Sequence, residues 1–487
     1  MKALQLFLIV IFCHLSVNAR IPDNMRFSHI GLDDGLSHST VVDIRQDNDG
    51  NLWFATHDGV NKYDGYDFTV YRHQYAESSS IASDMSRCLS VDGVGRVGVG
   101  TREGLSLYNP RTDSFVNFFY QKNGQNVTIN SIVSVDDSVL MLGTTEGLLL
   151  FDIVNKKFFN DPLPAGLHKI SVTALSKGHQ CVYVGGNGLV YRYVMDRGVL
   201  EKLMELPSEI SIQAIFSQGN DRIWVATEGS GLYRYDRKSK ELREYHDSDR
   251  KLGLNSDYVR SLGLDSDNNL WVGTYDGLNI YDEDADNFVS VKNSEIEDGS
   301  LSQNSVRCIF QDSQGGMWLG TYWGGLNYYH PLCNRFKTMK HVPQVNSLSD
   351  NVVNCIVEDN GHNLWIGTSG GGLNYYDNVK KAFKNYLFAS DEHGVPFKDI
   401  KTVYVDELRD RVYVGAHAGG MMVVHRKSGN VEYYNRNNSN LPINHIYSIV
   451  SDGNGGLWIA ALDYLLHFDI DKRDFKVVNK VGNDDKI

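Results

Sequence analysis

Proline is scarce in this chain, with 9 residues in 487, and cysteine is scarcer, with 6. So little proline excludes collagen-like or polyproline architecture and proline-rich spacers. Only five cysteines follow the first 19 residues, an odd number that rules out a complete disulfide framework, and none has zinc-type spacing. After the N-terminus there is no run of about 18 apolar residues, so no membrane helix is expected. Basic runs are absent and the net charge is −13, which argues against binding a phosphate backbone and so against direct nucleic-acid contact. What the chain has instead is glycine (46), tyrosine (27) and phenylalanine (20), a mixture that suggests many short strands joined by tight turns. At this length, two or more domains are expected.

Residues 1–19 read as a secretory signal peptide. Lys2 supplies the positive charge, Leu6 to Cys13 form an unbroken apolar core, and Val17–Ala19 ("VNA") offer small residues at the cleavage positions. The apolar core is too short to span a membrane. Cys13 follows Phe12 rather than a small residue, which argues against a lipid anchor.

The rest is written as a repeat. Trp224, Trp271, Trp318 and Trp365 are spaced 47 residues apart, and each opens text such as "NLWVGTYDGLNIYD" or "NLWIGTSGGGLNYYD". Trp53 and Trp458 head similar hairpins, and weaker copies start at Gly95, Ser138, Cys181 and Arg411, making ten units. A period of roughly 41 to 48 in all-strand text indicates propeller blades. Around Trp318, strand a is "SVRCIFQD", strand b "MWLGT" and strand c "LNYYH", with "RFKTM" a candidate strand d. Both faces of these strands are apolar, as a sheet packed between two other sheets requires. Cys88, Cys308 and Cys355 share one slot with Ser261 and Ser448. Stacked sheets lie about 10 Å apart, beyond the reach of a disulfide, so these are expected to be small core residues. Cys181 or Cys333 is left as a free thiol.

Arg26–Ser39 resembles Arg335–Asp350, and each reads as a strand d leading into a new strand a, but no blade precedes the first. An orphan strand d is what a ring needs to close its last blade. The expected architecture is therefore all-β: a seven-bladed β-propeller over 20–334, with Phe27 closing the blade of Trp318, and then three blades of an incomplete second propeller over 335–487, opened by Phe336. Three blades cannot close a ring, so the sequence reads as a truncated product or fragment. A single larger ring is the alternative.

The pattern "DxxGxLWxGTxxGL" preceded by "LSxxxVxxI", at Leu36–Val60 and Leu348–Leu373, resembles the regulator-propeller repeat of the periplasmic sensor region of Bacteroidetes hybrid two-component regulators. The resemblance implies a periplasmic, ligand-sensing module. Its longer parent would be anchored in the inner membrane, would carry histidine kinase, receiver and DNA-binding parts, and could act as a homodimer. It also implies an oligosaccharide ligand released from a polysaccharide whose utilisation genes are regulated. No phosphoacceptor-histidine, ATP-binding or receiver motif is visible here, so no enzymatic activity is expected of this chain.

Within a repeat, departures from the pattern stand out. Most b–c turns are small or acidic, but "TYDG" and "TYWGG" place Tyr275, Tyr322 and Trp323 where no core demands them. Flat aromatic surface suits a sugar ring; packing on neighbouring loops is the structural alternative. Arg87, Arg260 and Arg307 share one position near the start of strand a, with Asn354 as a sibling, and are expected at the mouth of the central channel. Guanidinium forks suit carboxylates, sulfates or paired hydroxyls; bonds to loop carbonyls would be the purely structural role. The turns at Asp47, Asp265 and Asp452 are too short for a calcium loop and lack a downstream glutamate, so neither metal nor cofactor is called for. A glycosidase or lyase would need facing carboxylates or a His–Tyr–Arg cluster; His57 with Asp58, and His417, lie in b–c turns without a nucleophile motif. A passive interaction scaffold is the remaining alternative.

Overall fold

The computed structural model describes residues 25–481 except 160–169, 208–209, 249–252, 296, 298, 336–337 and 387–396. The signal-peptide segment and Phe336 lie outside the described residues. Those described hold no α-helix, and no helix long and apolar enough to cross a membrane. They form ten four-stranded antiparallel sheets, each ordered a-b-c-d, plus a two-stranded ribbon at Gln121–Lys122 and Gln125–Asn126.

Two compact units divide the chain, 1–336 and 337–487. In the first, seven sheets pack through their inner strands, neighbour against neighbour, and the sheet at Val306–Gln311 packs in turn on the one at Val41–Gln46, so the ring is closed. Its seventh sheet takes strands a to c from Val306–Gln311, Met317–Thr321 and Leu326–Tyr329. Strand d comes from the other end of the unit: Ser28, His29 and Ile30 pair with Tyr328, Asn327 and Leu326. The candidate strand "RFKTM" does not play this part, because Pro331–Arg335 winds into a 3₁₀ helix straight after strand c. The seam is also tied by the Gly325 N–H to the Ser39 carbonyl at 2.9 Å and by the Ser313 N–H to the Gln46 side-chain oxygen at 2.8 Å.

The repeated tryptophan has two jobs. Trp53, Trp224, Trp271, Trp318 and Trp365 are all buried between sheets. Each indole N–H donates to the side chain six residues upstream: Asp47 (2.8 Å), Gln218 (2.9 Å), Asp265 (3.0 Å), Asp312 (2.8 Å) and Asp359 (3.4 Å). In the aspartate cases the same carboxylate accepts backbone N–H groups of the a–b turn, as Asp312 does from Gln314 and Gly316. The acidic turns are thus spent on their own backbone and on the buried indole, where a lost partner would be costly.

The shared cysteine slot has an equally local cause. Cys88, Cys308 and Cys355 lie directly opposite Gly100, Gly320 and Gly367 on strand b, and Ser261 lies opposite Gly273. A glycine facing a small side chain makes a notch, and the next sheet's inner strand fills it: Val41 against Gly320, Ile400 against Gly367. Cys88, Cys181 and Cys308 are buried free thiols, while Cys333 is exposed.

The second unit has three sheets, with inner strands Val353–Glu358, Ile400–Asp406 and Ile446–Ser451 packed in series. Its flanking sheets each leave apolar side chains in solvent: Ile356 is 59% exposed and Trp458 37%, whereas the siblings Ile44 and Trp53 are fully buried. Bare strand-rich apolar surface favours association. Limited proteolysis should therefore cut the 337–487 unit before the closed ring. Ile356→Lys should reduce light scattering on heating while moving the unfolding midpoint little, since an exposed side chain contributes within about 0.5 kcal/mol. Digestion that starts in the closed ring would contradict this.

Candidate functional site

Six of the seven inner strands of the closed ring carry a register shift next to their first paired residue. The residue skipped by the pairing is Val42, Arg87, Asn130, Gln213, Arg260 or Arg307; in the remaining strand, Thr173 precedes the first paired residue, Ala174. A bulge re-aims the side chain it frees. All seven of these residues line one cavity of about 310 Å³, joined by His57 from a b–c turn and by Glu228 and Tyr258. That volume falls within the range of small-molecule sites.

The ring of side chains is asymmetric. Arg260 and Arg307 come from adjacent sheets, and Arg87 stands beyond Val42 on the other side of the seam. Opposite lie Asn130, Thr173 and Gln213, all uncharged: Asn130 Nδ2 donates across to the Val172 carbonyl at 3.2 Å and the Thr173 hydroxyl across to the Ile212 carbonyl at 2.5 Å, while Gln213 Nε2 donates to Glu228 Oε2 in the b–c turn of its own sheet at 2.9 Å. Among the described residues, no carboxylate lies in ion-pair contact with Arg87, Arg260 or Arg307. Burial pushes the Arg307 pKa below its ordinary value, and the charges of Arg260 and Arg87 add to the effect. His57 is likewise lowered, first by burial and then by Arg307, His38 and Arg87, which keeps its imidazole neutral at neutral pH.

Tyr275, Tyr322 and Trp323 are not among the residues lining the cavity; they stand outside it, reached through the arginines. Arg260 lies over the Tyr275 ring at 5.2 Å and Arg307 over Tyr322 at 5.6 Å, and Tyr322 meets Trp323 edge-on at 5.3 Å. Trp323 is 67% exposed and Tyr275 58%. Arg87 has no such partner because its sheet carries Arg102 where the others carry tyrosine. Chemically the mouth offers guanidinium donors on one arc, amide and hydroxyl groups on the other, and two exposed aromatic faces at the rim. The uncharged arc had no signal in the sequence beyond its slot, and two of its residues, Asn130 and Thr173, fall in weaker copies of the repeat. His57 had one, as a turn residue on the channel face.

Five stretches match the two-component regulator propeller family model: residues 35–58, 253–276, 300–323, 347–370 and 440–463. The extracellular domain assigned to the hybrid two component system BT3049 of B. thetaiotaomicron superposes with a TM-score of 0.70 at 26% identity, over 94% of this chain and 66% of that one. The extracellular domain assigned to the one component system BT4673 of the same organism shares the fold at a TM-score of 0.51 and 20% identity, over 93% of this chain and 67% of that one. The histidine kinase P4 of Formosa agariphila is 39% identical over 83 residues, which is 17% of this chain and 6% of that protein. This chain thus spans about two thirds of the BT3049 domain and a small part of the kinase. Three sheets of the closed ring's unit and two of the three-sheet unit thus carry two-component regulator propeller repeats.

Proposed function

We propose that this chain is the ligand-sensing propeller module of a hybrid two-component signalling protein, exported to the periplasm, and that its ligand is an oligosaccharide derived from a polysaccharide. Binding regulates the genes for using that polysaccharide through kinase and transcription parts of a longer, membrane-anchored parent. The observation that carries this reading is the channel mouth, where seven inner-strand residues converge on one polar cavity beside two exposed aromatic faces. Hydroxyl-rich rings need that combination of hydrogen-bond donors and flat apolar surface. The ligand contacts are Arg87, Arg260, Arg307, Tyr275, Tyr322 and Trp323.

Calorimetry of the full chain against an oligosaccharide panel tests the reading. Stacking contributes about 1 kcal/mol and a charge-assisted hydrogen bond about 1.5–3 kcal/mol, so Trp323→Ala should weaken binding roughly fivefold and Arg307→Ala roughly ten- to a hundredfold. Trp323→Ala should leave the unfolding midpoint in place, because an exposed turn residue closes no cavity. Wild-type affinity in both variants would move the site elsewhere. No new reducing ends or unsaturated products should form when the protein is incubated with the parent polysaccharides; their appearance would make it an enzyme.

A further inference from the structure

The chain has 60 acidic side chains against 47 basic ones, and many of its described arginines pair with one. Arg45, Arg72, Arg96, Arg222, Arg243 and Arg426 each hold a carboxylate in an ion pair. At the channel mouth the pattern breaks. Three arginines face one cavity without a carboxylate partner among the described residues, and Glu228, the acidic group in its lining, is held by Gln213 on the uncharged side. Burial lowers the pKa of Arg307, and the like charges of Arg260 and Arg87 lower it further. Such an arrangement is costly alone and favourable once a counter-charge enters.

Their geometry is also prepared for one. The guanidinium carbons of Arg260 and Arg307 lie over the rings of Tyr275 and Tyr322, at 5.2 and 5.6 Å from their centres. A guanidinium held over an aromatic ring still has N–H donors free for a planar or tetrahedral oxyanion. The hydroxyl of Ser305 accepts from Arg260 Nη1 at 3.2 Å and steadies that fork further. Between Arg307 and Arg87 the inner strand carries the uncharged Val42, and His57 of the same sheet also lines the cavity there.

We propose that the ligand accepted at this mouth carries an anionic group, a uronate carboxylate or a sulfate ester, held jointly by Arg87, Arg260 and Arg307, while its uncharged part lies against Asn130, Thr173 and Gln213. This rests on the oligosaccharide reading above and narrows it to acidic saccharides.

The test uses the full chain, the double variant Arg260→Gln/Arg307→Gln, and Arg87→Gln as a second variant at an exposed position. In the first arm, sodium sulfate is compared with sodium chloride at equal ionic strength. Sulfate stabilises proteins generally, so the readout is the difference between wild type and variant. Sulfate should raise the wild-type Tm by about 2 °C more than that of either variant; equal shifts overturn the proposal. In the second arm, trigalacturonate and a sulfated chondroitin disaccharide are titrated beside galactotriose, with sulfate as competitor. At least tenfold tighter binding of an acidic saccharide, lost in the variants, supports the proposal. Neutral galactotriose bound as tightly and undisplaced by sulfate would overturn it while leaving the oligosaccharide reading in place. A sulfate response with no saccharide bound would uphold the anion site and overturn the oligosaccharide reading, and displacement of sulfate by polyglutamate would then assign the anion to a protein partner.

Discussion

Phe27→Ala should lower the stability of the closed ring by about 3–5 kcal/mol, the usual cost of emptying a buried aromatic site. Phe27 is buried in a cluster with Trp271, Ile280, Leu301, Val306, Met317 and Tyr329, its ring 5.8 Å from that of Tyr329. Its N–H donates to the Gly299 carbonyl at 2.7 Å, fixing the approach of the segment that then pairs as Ser28–Ile30. The side chain thus anchors the strand that seals the ring's last sheet, and its loss frays a seam as well as leaving a cavity. Urea unfolding followed by tryptophan fluorescence reads the effect, with Phe119→Ala as control. Phe119 is 49% exposed, so its removal should change stability by no more than about 0.5 kcal/mol. Equal midpoints for the two variants would mean that the N-terminal strand is dispensable to the ring.

Gly320→Ala should cost about 1–3 kcal/mol, the range for forcing extra volume into a packed core. A Cβ at this position would stand 2.4 Å from Cys308 Sγ and 2.9 Å from Val41 Cβ, across the same seam. The nearest obstacle is a side chain that can itself be trimmed, so the mechanism is open to a double-mutant cycle. Adding Cys308→Ala should recover part of the loss, with a coupling of about 0.5–3 kcal/mol as expected for residues in contact. Simple additivity would mean that the glycine is needed for its backbone rather than for the notch. The same pairing at Gly100 with Cys88 and Gly273 with Ser261 makes the effect general to the repeat, but position 320 is where it acts on ring closure.

Much of this architecture lies open in the amino-acid sequence because its causes are local. The alternation of apolar residues, the glycines between strands b and c, and the aspartate or glutamine six residues before each tryptophan act within one sheet, and the repeat states them again and again. Even the closing strand could be read, since Arg26–Ser39 copies the text that leads into a blade while having none before it. Arg87, Arg260 and Arg307 were visible as one slot for the same reason. What they face was not. Arg87 and Arg307 are 220 residues apart in the chain, yet they share a cavity because closing the ring sets the first sheet beside the seventh, and no local pattern encodes that distance. The bulges that free these side chains, the tyrosines that carry two of the guanidiniums, and the uncharged arc of Asn130, Thr173 and Gln213 acquire meaning only around the channel. Local hydrogen bonding and packing can be written into each repeat, but the convergence of unlike residues on one point is decided by how the copies are arranged in space.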